Sequence, residues 1–185
     1  MSLRLVPSNP GWRRMFVDEA MALQAALGRN VQAMHHIGST AITGIVAKPI
    51  IDMLCVVHHL GAVDSANPRL QSLCYIAKGE NGIEGRRYFQ KSAEDGRRSH
   101  HLHVFETGSP HIERHLAFRD YLLAHPDRAA DYSTLKSTLA ETAPSKAAYQ
   151  EAKSPFIQSV LAEAVTWYRQ KQREPAAGGD ATGAA

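Results

Sequence analysis

The chain has 185 residues, 44% hydrophobic and 21% charged, with a formal charge of +3; this suits a globular domain with its own core and excludes a fibrous or wholly disordered protein. The longest apolar run is far short of a membrane span, and the positive residues are not gathered into one stretch, which favours anionic small molecules over bulk nucleic acid. Met1-Ser2-Leu3-Arg4 lacks the apolar region of a secretory signal, so a cytoplasmic protein is expected.

Asn9-Pro10 has the chemistry of a cap followed by proline at a helix start, and Trp12, Met15, Phe16, Leu23 and Leu27 recur at helical spacing, predicting a helix over 10–27. Gly28 and Asn30 end it, and Val31 to His36 reads as a short strand that delivers the chain to Gly38-Ser39. After the turn signals Thr43-Gly44 and Lys48-Pro49, residues 50–58 read as a continuous strand. On it Ile50, Asp52, Leu54 and Val56 share one face.

Pro68 allows a short helix from Asn67, followed by strands at Tyr75–Ala77, Arg86–Lys91 and His101–Glu106. From residue 109 the pattern turns helical: Ser109-Pro110 opens one helix, Pro126 a second, and Ser154-Pro155 a third. Residues 173–185 are expected to be a disordered tail behind a single domain over 1–172. Cys55 and Cys74 lack C-x-x-C spacing and read as small core residues. Strands before helices give an α+β layout, a mixed sheet flanked by helices with a C-terminal helical section.

Gly38-Ser39 can wrap a phosphate, because glycine permits close backbone approach and serine adds a hydroxyl to backbone N–H donors. Asp52 on an apolar strand needs a partner for its charge. The spacing Gly38-Ser39…Asp52 looks like the signature of the DNA polymerase β-like nucleotidyltransferases, which usually carry a second carboxylate two residues on; here that position is Leu54. HHIGSTAITGIVAKPIIDMLCVV from residue 35, HHLHVFE from 100, FRDYL from 118, His125-Pro126, Tyr149 and Lys153 resemble the GrpB-like family of predicted nucleotidyltransferases over roughly residues 10–168. Thr43 stands where that family commonly has proline. The resemblance implies a nucleotidyltransferase-like fold and an enzyme acting on nucleotides, and a similar domain joined to dephospho-coenzyme A kinases hints at coenzyme A metabolism.

The expected site follows. Asp52 and Ser39 are the candidate catalytic residues; Gly38, Ser39, Thr40, Lys48, Arg86, Arg119 and Lys153 are candidates for phosphate, with Lys136 a further cation of the helical half. Asp52 with His101 and His103, which share a strand face, would hold a divalent ion, Mg²⁺ or Mn²⁺ or alternatively Zn²⁺. His36 beside the turn is expected to orient it, and Trp12, Phe118, Tyr121 and Trp167 to be core rather than base-stacking platforms. The competing reading makes Asp52 an internal acceptor for the turn and the histidines a structural polar network. Three functions fit: metal-dependent transfer of a nucleoside monophosphate, a non-catalytic nucleotide or coenzyme A-like binding module, and metal-assisted phosphoester hydrolysis. The partner in each is a phosphate-bearing small molecule, with no membrane.

Overall fold

The computed structural model describes residues 4–174. Helix α1 (Gly11–Leu27) leads to strand β1 (Val31–Ile37), and β2 (Ile51–Val57) follows across a loop. Two short helices, α2 (Leu60–Ser65) and α3 (Asn67–Ser72), precede β3 (Tyr75–Ala77), β4 (Arg86–Ser92) and β5 (Arg98–Glu106). The C-terminal section is α4 (Pro110–Ala124), α5 (Pro126–Thr142) and α6 (Lys146–Arg173). The five strands form one mixed sheet in the order β1-β2-β5-β4-β3, with β2 and β5 parallel and the other pairs antiparallel. The α+β architecture with a helical second half is as the sequence predicts.

The two faces of β2 have different neighbours. Ile51, Met53, Cys55 and Val57 join Leu102 and Val104 of β5 and pack with Trp12, Leu23 and Leu27 of α1 and Leu70 of α3. On the opposite face Leu54 meets Ile37 and Phe105, with Ile112 and Leu116 of α4 against them. That second face also carries Asp52. A further cluster, built from Ile42 and Ile45 of the β1–β2 loop with Ala117, Tyr132 and Val160, seats α4, α5 and α6 beside it.

A polar tie crosses the α1 face: Lys91 Nζ donates to both carboxylate oxygens of Glu19 at 2.9 and 2.8 Å. Removing one partner strands the other charge in a poorly solvated place. Glu19→Ala is expected to cost about 2 kcal/mol, seen as a lower urea midpoint at an unchanged m value.

Three sequence expectations need correction. Helix α6 begins at Lys146, because Ser145 Oγ accepts from the Ala148 amide at 3.1 Å and caps it, so Pro155 lies inside the helix rather than opening it. Proline costs one backbone hydrogen bond there, yet the early turns anchor through Tyr149, which is 2% exposed. Helix α2 is not expected from the sequence pattern. Cys74 is exposed with φ of 65°, ending α3, whereas Cys55 is core, its thiol pushed up to about 12 by burial. The tail expected over 173–185 lies, from residue 175, outside the described residues. Trp12 and Tyr121 are buried as expected, with Phe118 and Trp167 packed on the helical core. Among the described residues no helix is long and apolar enough to cross a membrane.

Candidate functional site

Strand β1 delivers the chain to Gly38, whose φ is +69°, and the Ser39–Ala41 segment closes into a 3₁₀ turn. A Cβ on Gly38 would fall 2.5 Å from Asp52 Oδ2 and 2.9 Å from Asp52 Cβ. Glycine is therefore demanded twice, by backbone conformation and by contact with the carboxylate. Thr40, 8% exposed, braces the turn: its hydroxyl donates to the Ile50 carbonyl at 3.4 Å and lies 2.9 Å from His36 Nε2. His36 stacks on Phe16 with centroids 5.1 Å apart, and burial pushes its pKa down to about 4. It orients the turn, as expected, and does so uncharged.

Parallel pairing of β2 with β5 sets Asp52 opposite His101 and Leu54 opposite His103. His101 Nδ1 lies 2.9 Å from Asp52 Oδ1, and His103 Nε2 3.9 Å from the same oxygen. Burial works to raise the Asp52 pKa, but the hydrogen bond with His101 and the nearby His103 ring outweigh it and hold the carboxyl well below the usual range. Tyr88 of β4 leans over both histidines, at 5.6 and 5.0 Å between centroids. From α4, His115 contributes an edge to His103 at 5.3 Å; burial pushes it down to about 3, so it stays neutral.

The helical section supplies cations. Lys48 and Lys153 both lie over the Tyr149 ring, at 5.0 and 4.9 Å, and neither has a carboxylate partner among the described salt bridges. Burial lowers the Lys48 pKa, and burial with repulsion from Lys48 lowers Lys153 to about 8, the attraction of Asp52 opposing both. Lys136, 2% exposed, donates to the Val46 carbonyl and is pushed down to about 7 by burial and Lys153. Ser39 is near enough to the buried Tyr132 phenol to counter its upward shift.

The structure thus brings Gly38, Ser39, Asp52, His101 and His103 together, with Lys48 and Lys153 near enough to feel the Asp52 charge. Arg86 and Arg119 do something else. Arg86, 5% exposed, donates to the carbonyls of Glu80 at 3.0 Å and Asn81 at 2.7 Å, with Nη1 3.4 Å from His103 Nδ1. Arg119 donates to the His36 carbonyl at 3.0 Å and pairs with Asp120 at 2.6 Å, tying α4 to the end of β1. His115 and Tyr88 were not singled out from sequence; the His111–His115 spacing on α4 was the available signal. An apolar groove of about 620 Å³ between α1 and β1, lined by Phe16, Met21 and Met34, lies away from these groups.

The Asp52–His101–His103 trio fits a proton network better than a resident metal. A carboxylate only accepts, so His101 Nδ1 carries the proton given to Asp52 and has no lone pair for an ion there. Arg86 only donates, so His103 Nδ1 accepts and its proton sits on Nε2, facing Asp52. Neither ring presents a metal-ligating nitrogen to the carboxylate. Among the described residues no group of three or more His, Cys, Asp or Glu side chains is placed to hold a metal ion.

Residues 2–163 match the family described as GrpB protein. UPF0157 protein YqkA of Bacillus subtilis is 43% identical over 166 residues, covering 89% of this chain, and the chain spans 48% of that relative's length. The crystal structure of conserved protein GrpB from Enterococcus faecalis superposes with a TM-score of 0.85 at 38% identity, covering 90% of this chain and 99% of that one. Dephospho-CoA kinase of Mycobacterium tuberculosis is 30% identical over 189 residues, covering 89% of this chain and 46% of the kinase.

Proposed function

The chain belongs to the GrpB family, and on that premise we propose that it transfers a nucleoside monophosphate from a nucleoside triphosphate to an acceptor hydroxyl. The observation that carries this reading is the Gly38-Ser39 turn seated on the Asp52 carboxylate, with half-buried Lys48 and Lys153, which have no carboxylate partner among the described residues, near enough to feel its charge. The turn and Ser39 hold the phosphates, and Lys48 and Lys153 take the charge that develops on departing pyrophosphate. The triphosphate enters as its Mg²⁺ or Mn²⁺ salt, with phosphates and water supplying most of the ion's octahedron. Incubation with α-labelled nucleoside triphosphates and fractionated small-molecule acceptors tests it: label should move to an acceptor with release of pyrophosphate. Tight nucleotide binding without pyrophosphate release would sink the enzyme reading.

That outcome would favour a second reading, a binding module for a nucleotide or coenzyme A-like ligand. Its support is Leu54, which occupies the second-carboxylate position and is fully buried against Ile37 and Phe105.

The lysines make a separate prediction. Burial pushes the folded-state pKa well below that of a free lysine, to about 8 for Lys153 and about 7 for Lys136, so between pH 7 and 9 the unfolded chain binds more protons than the folded one. Their contribution therefore makes the ligand-free protein more stable as pH rises through that window. Pyrophosphate needs the charged form, so its affinity, measured calorimetrically, should fall over the same window. Lys153→Met should weaken pyrophosphate binding at pH 7 by roughly tenfold or more and flatten the pH dependence of both quantities.

A further inference from the structure

We propose that His101 is the general base that takes the proton from the acceptor hydroxyl, with Asp52 as its positioning residue. The inference rests on the transfer reading and adds the acceptor-activating group that the sequence does not reveal. Three features single out His101. Asp52 Oδ1 at 2.9 Å fixes the proton on Nδ1, leaving the lone pair on Nε2. That Nε2 hydrogen-bonds to nothing among the described residues and, unlike His100 Nε2, is not a sealed, unpartnered atom. The ring is 24% exposed, on the sheet face where the Gly38-Ser39 turn meets the carboxylate.

The neighbouring histidines are unsuited to the role. His103 has its Nδ1 lone pair turned to Arg86 and its Nε2 proton turned to Asp52, so it offers no lone pair to a substrate. His115 lies behind His103, its ring edge against it at 5.3 Å. His36 is on the α1 face, stacked on Phe16. The arrangement is a carboxylate–histidine dyad built on the first carboxylate of the superfamily signature, while Leu54 fills the second position, and proton transfer here replaces part of the work of an acidic pair.

The step balances. The acceptor O–H gives its proton to His101 Nε2 as its oxygen bonds the α-phosphorus. The bond from that phosphorus to the oxygen bridging the β-phosphate breaks, and pyrophosphate leaves with the electron pair. The imidazolium is stabilised by Asp52, and its proton passes to solvent. Asp52 on β2 and Tyr88 on β4 face His101 directly; His103 on β5 shares its strand face, Arg86 on β4 and His115 on α4 contact His103, and Lys48 and Lys153 lie near enough to feel the Asp52 charge.

Nitrogen-15 spectra of the histidine rings and kinetics of His101→Asn together test the proposal. Asparagine keeps an N–H donor toward Asp52 and removes the base. The expected results are an Nδ1–H tautomer for His101 and Nε2–H for His103. In the variant, kcat should fall roughly 10²–10³-fold and KM for the nucleotide should hold. An Nε2–H tautomer at His101, or turnover undiminished in the variant, would overturn the base role while leaving the transfer reading intact. A stoichiometric transition metal retained by the purified, untagged protein and lost in His101→Asn would also overturn it, since Nε2 would then be a ligand. Absence of turnover in the unmodified protein with every acceptor fraction would instead overturn the transfer reading, and the base role with it.

Discussion

Asp52→Asn should lower nucleotidyl transfer by about 10³-fold or more while the protein stays folded. The asparagine amide can turn either its oxygen or its NH₂ toward His101 Nδ1. In the second orientation it donates, forcing the ring proton onto Nε2 and closing the lone pair that takes the acceptor proton. Loss of the negative charge also leaves the imidazolium formed during the reaction without its counter-ion. The folded state should tolerate the change, because Asp52 is 29% exposed and its neighbours remain hydrogen-bonding partners. Steady-state rates with labelled nucleotide and a thermal melt check both halves. A rate within a few-fold of the unmodified protein would remove Asp52 from the mechanism.

Gly38→Ala should cost both stability and activity. The alanine would sit at a positive φ, and its methyl would meet Asp52 Oδ2 at 2.5 Å, so either the turn or the carboxylate must move. Left-handed backbone alone costs about 1–2 kcal/mol, and displacement of a packed strand group adds a similar amount, about 1–3 kcal/mol. In a chain of this size a loss of about 3 kcal/mol lowers the Tm by about 6–12 °C. Gly28→Ala is the internal control, since Gly28 also has positive φ, +61°, but has nothing within 4 Å of the added carbon. Equal Tm losses in the two variants would show that contact with Asp52 contributes nothing.

Much of this arrangement can be read locally. Two-residue alternation over 50–57 puts Asp52 and Leu54 on one face, and the spacing of His101 and His103 puts them on one face of their own strand. Whether those faces coincide depends on pairing a strand with another some fifty residues away, across a crossover that includes β3 and β4. Sequence pattern sets the face of a strand but not its neighbour. Charge alone suggested a phosphate contact for Arg86, and the family resemblance one for Arg119, yet the fold directs donors of both to backbone carbonyls, of the β3–β4 loop and of β1.

Other features depend on context that sequence pattern misses. Pro155 is a strong start signal, but the Ser145 cap and the burial of Tyr149 outweigh it, so α6 gains two turns that place Tyr149 and Lys153 four residues apart on one face. Helix α2 contains Gly61 and few large apolar groups, and tertiary links hold it: Arg87 donates to both oxygens of Asp64 at 2.7 and 2.9 Å, and Glu106 accepts from the Leu60 amide at 3.0 Å. Tautomers of the site histidines follow only from which partner can donate, and those partners come from β2 and β4. The proposed choice between metal ligation and proton transfer turns on that three-dimensional detail.

The central proposal, that a nucleoside triphosphate reacts on this sheet face, is tested most directly by a crystal structure of the protein soaked with a nonhydrolysable nucleoside triphosphate and Mg²⁺. The β- and γ-phosphates should lie between the Gly38-Ser39 turn and the Lys48 and Lys153 ammonium groups, with room for one acceptor oxygen between the α-phosphorus and His101 Nε2. A nucleotide bound elsewhere, or one whose phosphates avoid both the turn and the lysines, would contradict it.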